Sequence, residues 1–184
     1  MGKIIASEWV SLDGVFDASL IDQWQAPYHS DSRAEYIRDS IASCDAMLYG
    51  RTTYEMLAPY WSALKNNEMG VADKLNKGPK YVVSSTMKKA GWGETTIIRE
   101  HVAEEIARLK NAYDGYILVQ GSATLVGTLL EAGLIDELRL LVHPVIMGKG
   151  QRFFLDGMHA RLQQAGIKEL ELGVIALSYQ AKKG

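Results

Sequence analysis

The chain has 184 residues, 47% hydrophobic and 23% charged, with a formal net charge of −2 at pH 7. This is the balance of a single soluble globular domain spanning 1–184, and its scattered Lys and Arg exclude the basic footprint of a nucleic-acid binder. The longest apolar stretches, such as LRLLVHPVIM, reach about half the ~20 residues a membrane helix needs, and MGKIIASEWV is too short and too soon interrupted by Glu8 for a secretory signal.

Cys44 is the only cysteine, which leaves no internal disulfide or thiolate metal cluster and makes a reducing cytoplasm the default. The four histidines show no paired ligand spacing, so no metal is expected. His143 reads as a strand histidine before a proline turn. Neither a G-x-S-x-G elbow nor a cysteine–histidine signature is present.

Strand-length apolar runs alternate with helical periods, which predicts an α/β sheet of mostly parallel strands. KIIASEWV is the first strand, and Asp13 reads as the turn residue of SLDG behind it. Gly14 to Ser30 has no period but carries Trp24, Pro27, Tyr28 and His29, which suits a lid or pocket wall. Ala34, Ile37, Ile41 and Cys44 mark one face of a helix over Asp31–Cys44. AMLYG is the second strand, followed by a helix with Tyr54, Leu57 and Trp61 on one side. KYVVSS and TTIIR are the third and fourth strands. The next helix carries Val102, Ile106 and Leu109, with Glu104 and Arg108 spaced for a surface ion pair. GYILVQ is the fifth strand, and its helix stops at Gly133. DELRLLVHPVI is the sixth, and MGKGQR after it is a turn. The tail makes two strands turning near Gly173, an antiparallel hairpin.

Three strand ends share one chemistry. Gly50 precedes Arg51-Thr52-Thr53, Gly121 precedes Ser122-Ala123-Thr124, and YVV runs into Ser84-Ser85-Thr86. All lie at the carboxyl ends of predicted parallel strands, where ligands bind in open α/β sheets. The first amides of a helix lack intrahelical partners and carry partial positive charge, so two such starts could hold the two phosphates of a dinucleotide. Arg51 and the Ser84–Thr86 turn could take a third anion, such as a ribose 2′-phosphate. Gly followed by Ser or Thr also serves as a plain helix N-cap, and that reading stands beside the first. Neither G-x-G-x-x-G after a strand nor G-x-x-x-x-G-K-[ST] occurs.

In their order, IIASEWVSLDGVF, MLYGRTTYEML, YVVSST, ILVQGSATLVGTLLEAGLIDEL and HPVIMGKGQRFF resemble the dihydrofolate reductase superfamily. The closest branch holds the riboflavin-biosynthesis reductase domain (RibD C-terminal domain) and its small stand-alone bacterial relatives. The likeness spans almost the whole chain. It implies a dihydrofolate reductase-like three-layer α/β/α fold, with a mostly parallel central sheet and an antiparallel C-terminal hairpin, that binds NADPH in extended form. On this resemblance Gly50, Arg51, Thr52 and Thr53 hold phosphate, and Ser84 and Ser85 line the adenosine ribose site. Gly121, Ser122, Ala123, Thr124 and Leu125 grip the pyrophosphate. The family's mobile loop corresponds to the segment after Gly14, with nicotinamide-side residues near Val15 and Phe16. Dihydrofolate reductases place a second glycine, joined through a cis peptide, where this chain has Ser122. A cis bond is not expected there, since it costs roughly 2.5–4 kcal/mol outside proline.

The deaminase half of the riboflavin enzyme is absent, with no H-x-E and P-C-x-x-C. The place of the folate-binding acid falls near the start of the Asp31–Cys44 helix, where Asp31 and Glu35 are candidates. Asp31 could assist protonation there, or simply cap the helix. The expectation is an NADPH-dependent reductase that transfers a hydride to a small planar heterocycle (pterin, pyrimidine or riboflavin-precursor-like) or to a conjugated carbonyl. The alternative is a non-catalytic dinucleotide- or ligand-binding protein of the same fold. A homodimer is expected, and Leu170, Leu172, Val174, Ile175 and Leu177 of the hairpin either form its interface or cover the chain's own sheet. The reductase reading requires the mouths after Tyr49 and Gln120 to open on one crevice.

Overall fold

The apolar runs of the sequence pair into one sheet of eight strands, described for residues 2–182 in a computed structural model. The strands are β1 (Lys3–Ser11), β2 (Ala46–Gly50), β3 (Lys80–Val83), β4 (Thr95–Ile98), β5 (Tyr116–Val119), β6 (Glu137–His143), β7 (Leu162–Glu169) and β8 (Ile175–Ala181). Their order is β4-β3-β2-β5-β1-β6-β8-β7. From β4 to β6 all pairs are parallel; β8 lies antiparallel to β6, and β7 antiparallel to β8. Every residue of β2 is buried, as expected for a parallel strand covered on both faces.

Six helices join them: α1 (Ile21–Trp24), α2 (Asp31–Ala42), α3 (Arg51–Ala63), α4 (Ala72–Lys77), α5 (Val102–Ala112) and α6 (Ala123–Glu131). Side-chain alternation sorts them into two layers. Ile4, Ala6 and Val10 of β1 pack in one cluster with Ile106 of α5 and with Leu125, Val126 and Leu129 of α6. Met47 and Tyr49 of β2 pack on the other face with Ile41 of α2, Tyr54 of α3 and Leu75 of α4. The result is a three-layer α/β/α fold with an antiparallel C-terminal hairpin.

Several details differ from the expectations. Gly14 to Ser30 is not irregular throughout: it forms three short helical turns, one of them α1. Trp24 is buried edge-on to His143, and its Nε1 donates to the Asp17 carbonyl, so the aromatics make a packed wall. The wall's base is held by carboxylates that accept hydrogen bonds. Asp13 receives the Ser11 hydroxyl and the amides of Met147 and Gly148, and Asp17 receives the amide of Gln151. The Ser11 hydroxyl and the two amides hold Asp13 well below the usual carboxylate range.

Arg108 pairs with Glu105, three residues before it, rather than with Glu104. The helix from Asp31 ends at Ala42, two residues early, and β6 stops at His143. In the hairpin, Leu170 and Val174 are buried with Leu141, and Leu177 packs against the main core, so the hairpin covers its own sheet there. Leu172 and Ile175 remain exposed.

Candidate functional site

The carboxyl ends of β2 and β5 lie side by side because β5 pairs directly with β2. Each feeds a helix at once, and both helix starts open on one crevice of about 270 Å³. It is lined by Gly50, Arg51, Thr52, Val83, Val102, Ser122, Thr124, Leu125 and Thr128. The two mouths are locked together by contacts only glycine permits. A Cβ on Gly50 would lie 2.6 Å from Ser122 Oγ and 2.8 Å from Ser122 N, and one on Gly121 would collide with Thr53 Oγ1. The Gly50 amide donates to the Gly121 carbonyl at 2.8 Å.

The Gly121–Ser122 peptide is cis, contrary to the expectation from Ser122. The groups before and across it are both bonded: the Gly121 amide donates to Glu8 and the Gly121 carbonyl accepts from Gly50.

The three strand ends that look alike in sequence are three different devices. At α6, Ser122 caps, its Oγ accepting the Leu125 amide at 3.4 Å. At α3, Gly50 occupies the cap position and makes no side-chain cap, so that start keeps its partial positive charge. After β3 no helix follows. Ser84 is buried and its hydroxyl accepts the amides of Thr86 and Met87, a tight turn, while Ser85 is exposed. Arg51 joins this turn to the crevice: its Nη1 donates to Thr86 Oγ1 at 2.7 Å and its Nε to Glu55 at 3.1 Å. Thr53 backs Gly121 and Ala123 is fully buried beneath the loop.

A model of the RibD C-terminal domain matches residues 2–176. The chain belongs to that family. "Uncharacterized protein YyaP" of Bacillus subtilis (strain 168) is 29% identical over 147 residues, covering 77% of this chain and 76% of that protein. Among solved structures, a protein from Shewanella sp. PV-4 named for riboflavin biosynthesis superposes with a TM-score of 0.73 at 18% identity, covering 98% of this chain and 99% of that one. Dihydrofolate reductase from Enterococcus faecalis, complexed with NADP(H), gives 0.66 at 14% identity, covering 98% and 97%. At these identities the two structures bear on the fold.

In this RibD C-terminal domain the α2 side of β1 departs from the expected pattern. Ser30 takes the cap of α2, its Oγ accepting the Arg33 amide, and this sets the helix phase. Asp31 and Glu35 are consequently exposed, and neither lines the crevice. The side chain turned inward is Arg33, 2% exposed, with its guanidinium 5.4 Å from the Trp9 ring centroid. Its Nη1 meets the Tyr28 carbonyl and His29 Nδ1, its Nε is buried without a partner, and no carboxylate pairs with it among the described residues. His143 lies close by, with Nδ1 at the Val10 carbonyl and Nε2 unpartnered. Burial, reinforced by the Arg33 charge, lowers its pKa to about 4 against the pull of that carbonyl, so its ring is neutral. Val15 is fully buried, bridged to Arg152, and Phe16 packs on Phe153; neither lines the crevice.

Sequence reasoning missed Glu8. It is 2% exposed on β1 and its Oε1 accepts the Gly121 amide at 2.7 Å. Burial outweighs that amide and pushes its pKa up to about 8. The available signal was its position two residues from both Ala6 and Val10, which turns a carboxylate toward the α6 layer.

Proposed function

We propose that this domain is an NADPH-dependent reductase that passes a hydride to a small planar pyrimidine- or pterin-like heterocycle, or to a conjugated carbonyl. One observation carries the reading: two helix starts, one of them uncapped, converge on a single glycine-lined crevice with Arg51 at its rim. The likeness to a reductase complexed with NADP(H) agrees with it. In this reading Gly50, Thr52 and Thr53, with Gly121 to Leu125, hold the diphosphate through backbone amides and hydroxyls. Arg51, with Ser84 and Ser85, takes the ribose end and its 2′-phosphate. Val15 and Phe16 back the nicotinamide side from the wall. The bound dinucleotide supplies the hydride, while the chain aligns the partners and keeps water out. In this scheme the proton is assigned to Asp31, which is exposed at the first turn of α2 and outside the crevice lining.

Calorimetric titration with NADPH and NADH tests the reading. Wild-type protein is expected to favour NADPH, and Arg51→Ala to weaken NADPH by on the order of tenfold while NADH changes little. Equal losses for both would remove Arg51 from the 2′-phosphate. A second reading, a non-catalytic dinucleotide- or ligand-binding homodimer, draws on the lack of any carboxylate among the residues lining the crevice. NADPH binding without turnover on pterin, flavin-precursor and quinone panels supports it over the first.

A further inference from the structure

A carboxylic acid in the middle of β1 is out of keeping with its surroundings. Glu8 stands in register with Leu140 of β6, and Ala6 and Val10 on the same face belong to the main apolar core. Burying an acid there is costly unless its polar atoms are used. One of them is. Glu8 Oε1 holds the Gly121 amide at 2.7 Å, and the same glycine's carbonyl holds the Gly50 amide at 2.8 Å. Glu8, Gly121 and Gly50 thus form one bonded series that begins inside the core and ends at the start of α3. It passes through the loop that starts α6. Each glycine lies so near the other loop that an added Cβ would meet Ser122 or Thr53.

We propose that Glu8 is a positioning residue of the crevice: by gripping the Gly121 amide it sets the spacing of the α3 and α6 starts, and with it the affinity for a diphosphate bridge. This rests on the dinucleotide reading above. The acid acts as an uncharged acceptor, because burial keeps it protonated near neutral pH. A carboxamide is therefore its nearest mimic. Leucine or methionine fills the same space but leaves the Gly121 amide unpartnered, and an unpaired buried amide costs about 1–3 kcal/mol.

The test compares Glu8→Gln with Glu8→Leu and Glu8→Met, the last being unbranched like glutamate should leucine fail to fold. NADPH and inorganic pyrophosphate are titrated into each, and amide hydrogen exchange is followed at Gly50 and Gly121. Glu8→Gln is expected to bind both probes within about twofold of wild type, whereas the apolar variants lose on the order of tenfold for both. In those variants the Gly50 and Gly121 amides also exchange faster, and rescue by glutamine separates positioning from loss of bulk. Wild-type affinity in an apolar variant, or glutamine as poor as leucine, overturns the inference. So do amides as protected in Glu8→Met as in wild type, whatever NADPH does. Failure of the wild type to bind NADPH at millimolar concentration, with exchange at both glycines still governed by Glu8, instead sinks the dinucleotide reading and leaves the bonded series standing.

Discussion

Glu8 and His143 are both buried in neighbouring strands, and they bend the pH dependence of stability in opposite directions. His143 titrates near 4 when folded, below its ordinary 6.5, so the unfolded chain takes up the proton first and stability falls as pH drops from about 6.5 to about 4. Glu8 is raised from 4.5 to about 8, so the folded state keeps a proton the unfolded chain has released, and stability falls as pH rises through that window. Glu8→Gln removes only the second effect. Its stability relative to wild type is expected to rise by on the order of a few kcal/mol between pH 5 and 9, read by urea unfolding across the range. A difference that stays flat with pH would show that Glu8 is ionised at little cost. In the sequence Glu8 is legible only as a charge that spoils a leader peptide. Its use depends on Gly121, 113 residues away, which no local pattern reveals. Asp31 shows the converse: the family likeness puts an acid near the start of this helix, and the structure adds what no sequence pattern tells, that Ser30 takes the cap, Asp31 is exposed and Arg33 turns inward.

At the scale of elements, segments with a strong local signal are legible in the sequence and those without one are not. AMLYG coincides with β2 and Gly133 terminates the helix after β5, because apolar runs and a left-handed glycine are local signals. α4 escaped notice because six residues, ADKLNK, are too few to show a period. What holds it is not local either. Lys80 Nζ donates to the carbonyls of Leu75, Asn76 and Gly78 and lies 5.2 Å from the centroid of the Trp92 ring, which closes the helix end from the next strand. The crevice has its own element-level test in Gly50. Its φ of −73° and ψ of 157° suit alanine, so Gly50→Ala acts through space alone. The added methyl meets Ser122 and is expected to cost about 1–3 kcal/mol of stability in urea unfolding and to weaken NADPH binding. Unchanged values for both would mean that the two loops part easily.

For the whole molecule, the order of motifs along the chain sufficed for the fold, since parallel strands joined by helices leave few topologies and the family likeness spans residues 2–176. The substrate side did not follow, because it depends on which side chains from α2, the 14–30 wall and the end of β5 converge in space. Assembly is a question at this scale too. Edge strand β7 is largely exposed, and Ile167, Leu172 and Ile175 stand out from the hairpin. If the proposed homodimer forms through this edge, light scattering at micromolar concentration reads about twice 20.4 kDa, and Ile167→Asp returns the monomer. A wild-type monomer under those conditions removes the dimer.

The sheet order has one more consequence. β5 is inserted between β1 and β2, so the strand that leads into Gly121 is the last of the three to be synthesised and lies between the two made first. No amino-terminal fragment ending before Val119 can contain the crevice. During synthesis the crevice therefore forms only after β5 has joined β1 to β2 and the start of α6 has followed it, while β6, β7 and β8 are still to be added at the far side of β1.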